Sequence, residues 1–287
     1  MSMARIDAHQ HFWKYDPPEF SWVTDEMAVL RRDYLPEDFA RELSANGMDA
    51  SIAVQTSQSE KGTTFLLNLA VMHKTIAGVV GWVDLRAANV RDRLREYSRY
   101  KKLRGFRHIV QAEPDDRFLL HDDFLRGLAC LKEFNFTYDI LIYPKQLPAA
   151  VELVKRMPEQ AFVIDHAAKP LIKLKEIDTW AKKMRDLAAG PNVHCKLSGL
   201  ITEADWSRWR PEDFTPYLDV LFGVFGHERL MFGSDWPVCL VAGTYSSVKQ
   251  LIEGYVSQRF GADAERHAVA QAIFGETAAR FYGIRPA

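Results

Sequence analysis

Short runs of apolar residues recur along the chain and alternate with segments that carry apolar residues at helical spacing. Most of the short runs are rich in Val, Ile, Phe or Leu and lack strict polar alternation, which is typical of strands buried on both faces. The eight candidate strands are 5–8, 51–55, 78–83, 104–109, 138–142, 162–165, 193–197 and 230–233.

The segments between these strands show the spacing of amphipathic helices. Phe124, Leu128 and Leu131 fall at i, i+4 and i+7, and an apolar stripe over 248–256 follows Thr244, a candidate N-cap. Eight strands that each precede a helix predict an α/β fold, a single (β/α)8 TIM barrel. The rival is a doubly wound open sheet, which usually places a glycine-rich turn after the first strand. Here that position holds His-Gln-His-Phe-Trp, residues 9–13.

We expect one domain over residues 1–287, since no linker, repeat or low-complexity stretch divides the chain. An aromatic loop over 10–35 leaves the first strand, and its length indicates a lid or pocket wall over the barrel mouth. Residues 263–283 predict a closing helix on the barrel exterior.

Composition narrows the function classes. The formal net charge is −1, which gives no excess of basic residues for nucleic acid. The three cysteines are far apart and form no Cys-x-x-Cys pair, so a reducing compartment fits better than a disulfide framework. We see no signal peptide and no apolar run of membrane-spanning length, and we therefore expect a cytoplasmic protein without a membrane partner. The apolar residues of the outer helices are compatible with either a monomer or a homo-oligomer, so the oligomeric state stays open.

His9 and His11 follow the first strand and, by strand alternation, point to the same side. Two imidazoles directed into a barrel mouth can hold a divalent metal or polarise a carbonyl. The alternative is two unrelated loop histidines. His166 also stands just past an apolar strand, with Lys169 three residues later, and it is either a site residue or a satisfied core histidine.

Asp235 follows the last strand, within Gly-Ser-Asp-Trp-Pro at 233–237. A barrel closes its eighth strand against its first, so Asp235 is predicted to face His9 and His11. A carboxylate beside imidazoles or a metal is a suitable general base for water. The alternative is a turn or N-cap aspartate.

Other chemistry-bearing residues end further strands. Arg107 and His108 end the fourth strand and Lys196 ends the seventh, where cations can bind a polarised oxygen or a carboxylate. Tryptophans at strand exits suit the C–H faces of a sugar ring, although they serve equally well as core. The tryptophans concerned are Trp13, Trp22, Trp82 and Trp236.

The chain resembles the amidohydrolase superfamily over nearly its full length. Residues 7–13 (Asp-Ala-His-Gln-His-Phe-Trp) resemble its first-strand His-x-His, and 233–237 resemble its last-strand aspartate. Further segments resemble the L-fuconolactonase-like branch of sugar lactonases, and these are 103–111, 165–170, 195–200, 202–206 and 235–240.

The resemblance implies hydrolysis of aldonic-acid lactones, such as L-fucono-1,5-lactone, to the open acid. Asp235 would then activate water, while His9, His11 and His166, or a zinc ion that they hold with Asp235, would polarise the carbonyl. Asp235 or His108 would return the proton. The remaining strand-exit residues would position the ring hydroxyls, and these are Arg107, Lys196, Lys169, Trp22, Trp82 and Trp236.

The sequence departs from the binuclear members of the superfamily, which place a metal-bridging lysine on the fourth strand. Here that exit offers Arg107 and His108. We therefore expect either one divalent ion or a site that works without metal. The competing functions are a decarboxylase of the same superfamily acting on a muconate or aromatic acid, an inactive barrel that binds a sugar acid, and a metal-dependent phosphodiesterase.

Overall fold

The computed structural model describes residues 4–284. Eight parallel strands form one sheet in sequence order from β1 to β8. The strands are β1 Ile6–Gln10, β2 Ala50–Val54, β3 Ile76–Gly81, β4 Leu103–His108, β5 Thr137–Ile140, β6 Phe162–Ile164, β7 Val193–Leu197 and β8 Leu230–Phe232.

Helices separate these strands. They are α1 Pro36–Ala45, α2 Glu60–Met72, α3 Val90–Tyr97, α4 Asp122–Ala129, α5 Leu147–Arg156, α6 Asp178–Ala188, α7 Thr215–Phe225, α8 Tyr245–Arg259, α9 Asp263–Gln271 and α10 Thr277–Phe281. The Thr244 hydroxyl accepts a hydrogen bond from the backbone N–H of Ser247, which confirms the predicted cap of α8. Among the described residues, no helix combines the length and the apolarity that crossing a bilayer requires.

The sheet returns to its first strand through the segment after β8. Gln10 and Trp236 form a parallel bridge, and the His11 N–H donates to the Trp236 carbonyl at 2.7 Å. The predicted (β/α)8 barrel is therefore confirmed. Its closure brings the exits of β1 and β8 together, as the sequence prediction for Asp235 required.

The segment over 10–35 is anchored to the core by its buried aromatic residues. Trp13 and Tyr34 exchange two backbone hydrogen bonds of 3.0 Å, and both side chains are buried. Their rings contact Phe20 and Trp236, so aromatic packing holds this segment against the barrel, and its role as a lid or pocket wall stays a prediction. Aromatic burial on this scale contributes strongly to stability.

The C-terminal segment, predicted as a closing helix over 263–283, is helical from Asp263 to Phe281. It forms α9 and α10 joined by a π-helical turn over Ala272–Glu276. The Phe281 ring contacts the ring of His194 near the start of β7, and Arg280 donates to the carbonyl of Glu228 just before β8. Ala278 and Tyr282 join the buried cluster of inward-facing strand residues. The segment therefore closes the barrel at the end opposite the strand exits, because these apolar side chains fill the interior.

Candidate active site

Three histidines and one aspartate converge at the exits of β1, β6 and β8. The Nε2 atoms of His9 and His11 lie 3.2 Å apart. His11 Nε2 lies 3.3 Å from Asp235 Oδ1, and His166 Nε2 lies 3.9 Å from the same oxygen. All four side chains are buried. We refer to His9, His11, His166 and Asp235 as the mouth cluster.

Backbone contacts between β1 and β8 fix two members of this cluster. The Asp235 N–H donates to the His9 carbonyl at 2.8 Å. Asp7 Oδ1 accepts from the N–H groups of His9 at 3.0 Å and Ser234 at 2.9 Å. A Cβ at Gly233 would lie 2.6 Å from the His9 Cβ, so only glycine allows this approach. The position of Asp235 beside His9 is thus determined by main-chain geometry.

His166 begins a left-handed turn. The φ angles of residues 166–169 are 52°, 50°, 56° and 51°, and none of these residues is glycine. The Trp180 indole donates to the Ala167 carbonyl at 2.8 Å, and His166 Nδ1 pairs with Ser198 Oγ at 2.9 Å. A Cβ at Gly199 would lie 2.5 Å from His166 Nδ1. Strained backbone of this kind concentrates at functional sites, where the surroundings hold it in place.

Burial and neighbouring charges set the protonation states of the cluster. Burial lowers the pKa of His166 to about 4, against the opposing charges of Asp235 and Asp165. Burial would raise the pKa of Asp235, but the positive charge that His166 and His11 carry when they are protonated outweighs it and holds that pKa below its usual range. At neutral pH the cluster therefore offers an ionised carboxylate beside a neutral imidazole.

The orientation of His11 tests whether these residues fit a metal. His11 Nδ1 lies 2.8 Å from the Val54 carbonyl oxygen, which can only accept, so neutral His11 carries its proton on Nδ1. Its Nε2 lone pair then faces the ionised Asp235 carboxylate at 3.3 Å. Two acceptors that face each other in this way fit a bound cation, and imidazole with carboxylate is a ligand set that zinc accepts. His9, His11 and Asp235 offer ligand atoms that lie within 4.8 Å of one another.

A second group of charged residues lies inside the barrel, on the far side of His9 from Asp235. Lys196 Nζ contacts Asp139 Oδ2 at 2.5 Å and Asp165 Oδ1 at 2.9 Å. Arg107 Nη1 donates to Asp165 Oδ2 at 3.0 Å, and the Tyr282 hydroxyl donates to Asp139 Oδ2 at 2.8 Å. We call Arg107, Asp139, Asp165, Lys196 and Tyr282 the inner network.

The inner network corrects the prediction that Lys196 binds substrate. The Lys196 side chain has no exposed surface, and its ammonium is occupied by Asp139, Asp165 and His9. An ammonium enclosed in this way has no face left for a ligand. Arg107 donates both to Asp165 and to the Gln55 carbonyl, and it lies 3.3 Å from His9 Nε2, so its predicted contact with substrate stays a prediction.

Trp236 also differs from its predicted role. Its ring is 2% exposed and packs against the rings of Phe12, Tyr34 and Phe39. This position corrects the prediction that Trp236 faces a sugar ring, because the aromatic neighbours cover it. Trp22 is 42% exposed and contacts Trp13 and Phe20, outside the mouth cluster, and its role stays a prediction.

His108 belongs to a separate cluster. Its Nε2 lies 2.6 Å from Glu113 Oε1, and its Nδ1 accepts from the Trp82 indole at 3.3 Å. Its ring stacks on Phe118 at 4.7 Å. Since Arg107 points toward His9, strand alternation directs the neighbouring His108 to the other face of β4. The structure thus brings Arg107, and not His108, to the mouth cluster.

Lys169 ends the left-handed turn and pairs with Glu203 at 3.0 Å. Its ammonium also lies 5.6 Å from the ring centroid of Tyr143. Burial would lower the pKa of Lys169, but Glu203 outweighs it and raises that pKa, so the side chain stays charged. The structure holds a cation and a carboxylate together at the exits of neighbouring strands.

The sequence reasoning assigned no role to several of these residues, Asp139, Asp165, Glu203 and Tyr282 among them. Asp165 directly precedes His166 at the end of an apolar strand, and that position was a usable signal for a buried carboxylate. Glu203 lies in the segment 202–206 that resembles the sugar lactonases, whereas Tyr282 carries no local signal. Each meets its partner only through the fold, at separations of 34 and 143 residues.

Comparison with known proteins gives a consistent picture. The sequence profile of the amidohydrolase family matches residues 6–284. An L-fucono-1,5-lactonase from Burkholderia multivorans is 45% identical over 294 residues, covering 99% of this chain and 97% of that protein. An L-fucono-1,5-lactonase from Burkholderia ambifaria is 35% identical, covering 98% of this chain and 96% of that protein.

A solved structure points the same way. An amidohydrolase from Burkholderia multivorans, crystallised with bound zinc, has a TM-score of 0.92 and 43% sequence identity. The alignment covers 98% of this chain and 100% of that one. With the family profile matched over almost the whole length and two full-length relatives above 30% identity, the chain belongs to the amidohydrolase family.

Proposed function

We propose that this chain is a lactonase that opens a sugar-acid lactone, of the L-fucono-1,5-lactone type, to the free acid. The observation that carries the proposal is the convergence of three buried imidazoles on the ionised carboxylate of Asp235. A carboxylate in this setting activates water, and imidazoles beside it stabilise the negative charge that develops on a carbonyl oxygen. The names of the full-length relatives support the substrate class.

In the first step, Asp235 takes a proton from water while the water oxygen forms a bond to the lactone carbonyl carbon. The carbonyl oxygen gains the negative charge. Imidazole groups of the mouth cluster stabilise that oxygen, and loss of one such donor typically costs about 2.7–4 kcal/mol of barrier. Asp235 is ionised at neutral pH and can therefore accept the proton, and its lowered pKa favours the later return of that proton to the leaving oxygen.

In the second step, the bond between the carbonyl carbon and the ring oxygen breaks. The ring oxygen leaves with the electron pair and takes the proton that Asp235 holds, which restores the carboxylate. The products are one carboxylic acid and one alcohol on the same chain. We assign the proton return to Asp235 in preference to His108, because both His108 nitrogens are engaged by Trp82 and Glu113.

We propose His9, His11, His166 and Asp235 as the residues that would hold one divalent ion, with zinc as the first choice. Such an ion would act as a Lewis acid toward the carbonyl oxygen and would lower the pKa of bound water. The ligand atoms of His9, Asp165 and His166 also lie within 4.8 Å of one another, so the ligand set is open to test.

Lys169 and Glu203 are the proposed contacts for the hydroxyl groups of the sugar. A charged pair at the exits of β6 and β7 offers both a donor and an acceptor, as a ring hydroxyl requires. Both side chains keep part of their surface exposed, at 16% and 17%. The left-handed turn places Lys169 three residues after His166, so substrate recognition and catalysis share one backbone segment.

The test is acid release from a panel of sugar 1,4- and 1,5-lactones, with L-fucono, L-galactono, L-rhamnono and D-arabinono forms included. We expect fast turnover of one configuration and loss of turnover in Asp235→Asn. Chelator-treated protein with and without added zinc determines whether metal is required. If no lactone is turned over in either state, the lactonase proposal fails, and carbon dioxide release from muconate-type acids becomes the test of the decarboxylase alternative.

The cytoplasmic location stays a prediction, and both a monomer and a homo-oligomer stay open. Cys130, Cys195 and Cys239 are free thiols, which supports a reducing compartment. Size-exclusion chromatography with light scattering tests the oligomer directly.

A further inference from the structure

His9 differs from the other two histidines because each of its ring nitrogens faces one hydrogen-bond donor and one acceptor. Nδ1 lies 3.1 Å from the Lys196 ammonium and 3.3 Å from Asp165 Oδ1. Nε2 lies 3.3 Å from Arg107 Nη1 and 3.2 Å from His11 Nε2, which is an acceptor because His11 donates through Nδ1 to Val54.

This arrangement satisfies both neutral tautomers of His9 without moving a residue. With the proton on Nε2, His9 donates to His11, and Nδ1 accepts from Lys196. With the proton on Nδ1, His9 donates to Asp165, and Nε2 faces the Arg107 guanidinium. Within residues 4–284, Asp165 Oδ1 is a buried oxygen without a hydrogen-bond partner apart from its ion contact with Lys196. The second tautomer supplies that partner.

We propose that His9 works in two tautomers, donating from Nε2–H to the developing oxyanion when no metal is bound and presenting the Nε2 lone pair when a divalent cation is bound. Lys196 is the positioning residue for the first form and Asp165 for the second. The exchange moves one proton between the two ring nitrogens and changes neither the charge nor the number of protons. The inference rests on the proposed function for its kinetic consequence alone.

Tyr282 and Asp139 fix the position of the Lys196 ammonium, which is one of the two partners of His9 Nδ1. Asp139 Oδ2 accepts from both the Lys196 ammonium and the Tyr282 hydroxyl, so the closing C-terminal segment fixes where the ammonium sits. Lys196 has no exposed surface, so bulk water does not compete with its ammonium as the donor to Nδ1. His11 has a single partner on Nδ1, the Val54 carbonyl, and therefore cannot exchange between two neutral tautomers in the same way.

Two variants remove one partner of Nδ1 each. In the charge-balanced double variant Lys196→Met with Asp139→Asn, Nδ1 keeps only Asp165, and we expect His9 to hold its proton on Nδ1. In Asp165→Asn, the Lys196 ammonium dominates, and we expect the proton on Nε2. Tyr282→Phe is the matched control, because it removes a hydroxyl of the same network and leaves both partners of Nδ1 in place.

The first readout is the imidazole ¹⁵N NMR spectrum of metal-free protein, with the His9 signals identified by their loss in His9→Asn. We expect signals of both tautomers in the wild type and opposite single tautomers in the two variants. The same single tautomer in the wild type, the variants and the control would overturn the inference. If the double variant does not fold, the wild type and Asp165→Asn still decide it.

The second readout is zinc affinity, measured by competition with a chelator. Removing a partner that orients a ligating histidine typically weakens metal binding about 10- to 100-fold. We expect that loss in Asp165→Asn and less than about threefold loss in the double variant and in Tyr282→Phe. Equal losses in Asp165→Asn and the double variant would mean a structural role only. Neither readout uses a lactone, so failure here is distinct from failure of the proposed function.

Discussion

The mouth cluster and the inner network meet at His9, yet they differ in how their polar atoms are used. In the inner network, opposite charges touch at 2.5–3.0 Å, and each ion has a partner. In the mouth cluster, the Nε2 lone pair of neutral His11 faces the Asp235 carboxylate at 3.3 Å, and no cationic side chain within residues 4–284 lies between these two acceptors. Paired charges hold the barrel interior together, whereas acceptors without donors leave room for substrate, water or metal.

The largest expected effect separates these two regions by activity. Asp235→Asn removes the base of the mouth cluster, and we expect kcat/KM to fall about 10³-fold, within the range of general acid–base catalysis. Thermal unfolding of the variant, measured in parallel, separates loss of the base from loss of the fold. Turnover within tenfold of the wild type would show that Asp235 is not the base.

A comparable change in the inner network should affect stability first. Asp139→Asn leaves the Lys196 ammonium with Asp165 alone, and breaking a buried pair costs about 3–5 kcal/mol of unfolding free energy. Urea unfolding at neutral pH measures this loss. A variant as stable as the wild type would mean that Asp139 contributes no net stability, and the distinction between the two regions would fail.

Gly199→Ala sharpens the comparison by moving one imidazole without changing any polar group. The new Cβ would lie 2.5 Å from His166 Nδ1, at a φ of +61° that alanine disfavours. A displacement of about 1 Å in a catalytic group lowers rates about 10²-fold, and we expect a loss of that order in kcat. Gly254→Ala in α8 is the control, since nothing lies within 4 Å of its Cβ. Equal activity of the two variants would contradict the placement of His166.

His194 offers a smaller test, because it is a partly buried imidazole outside both regions. Burial lowers its pKa to about 4, with Arg280 and Arg229 adding to the effect. Below about pH 6.5, His194 therefore binds a proton in the unfolded chain but not in the folded protein. The free energy of unfolding falls as the pH drops from 6.5 to 4. We expect His194→Gln to reduce this decline by roughly 1–3 kcal/mol. If the unfolding free energies of the wild type and His194→Gln change in parallel across this pH range, the lowered pKa of His194 is contradicted.

The order of elements was accessible from sequence because it depends on local pattern. The predicted seventh strand, 193–197, matches β7, and 162–165 matches β6 to within one residue. The position of Asp235 followed from barrel closure alone. These inferences needed only periodicity and topology, which survive small errors in element bounds.

The partners of Lys196 were not accessible in the same way. Asp139 and Asp165 lie 57 and 31 residues before it, and their contact depends on the register between β5, β6 and β7. Trp236 shows the same limit, because nothing local indicates whether an aromatic ring at a strand exit turns toward the pocket or toward Phe39. Register and side-chain direction are set by the assembled barrel.

The left-handed turn at residues 166–169 should limit how long the purified enzyme keeps its activity. Each non-glycine residue in this conformation costs roughly 1–2 kcal/mol, so four together amount to a sizeable share of the about 5–15 kcal/mol that stabilises a typical domain. Opening of the turn releases that strain locally, and such segments open before the whole protein unfolds. Warmed preparations would then lose turnover while their circular dichroism still reports an intact barrel. The storage lifetime of the activity would then depend on these four residues. Faster amide hydrogen exchange at these residues would be the first measurable sign of its loss.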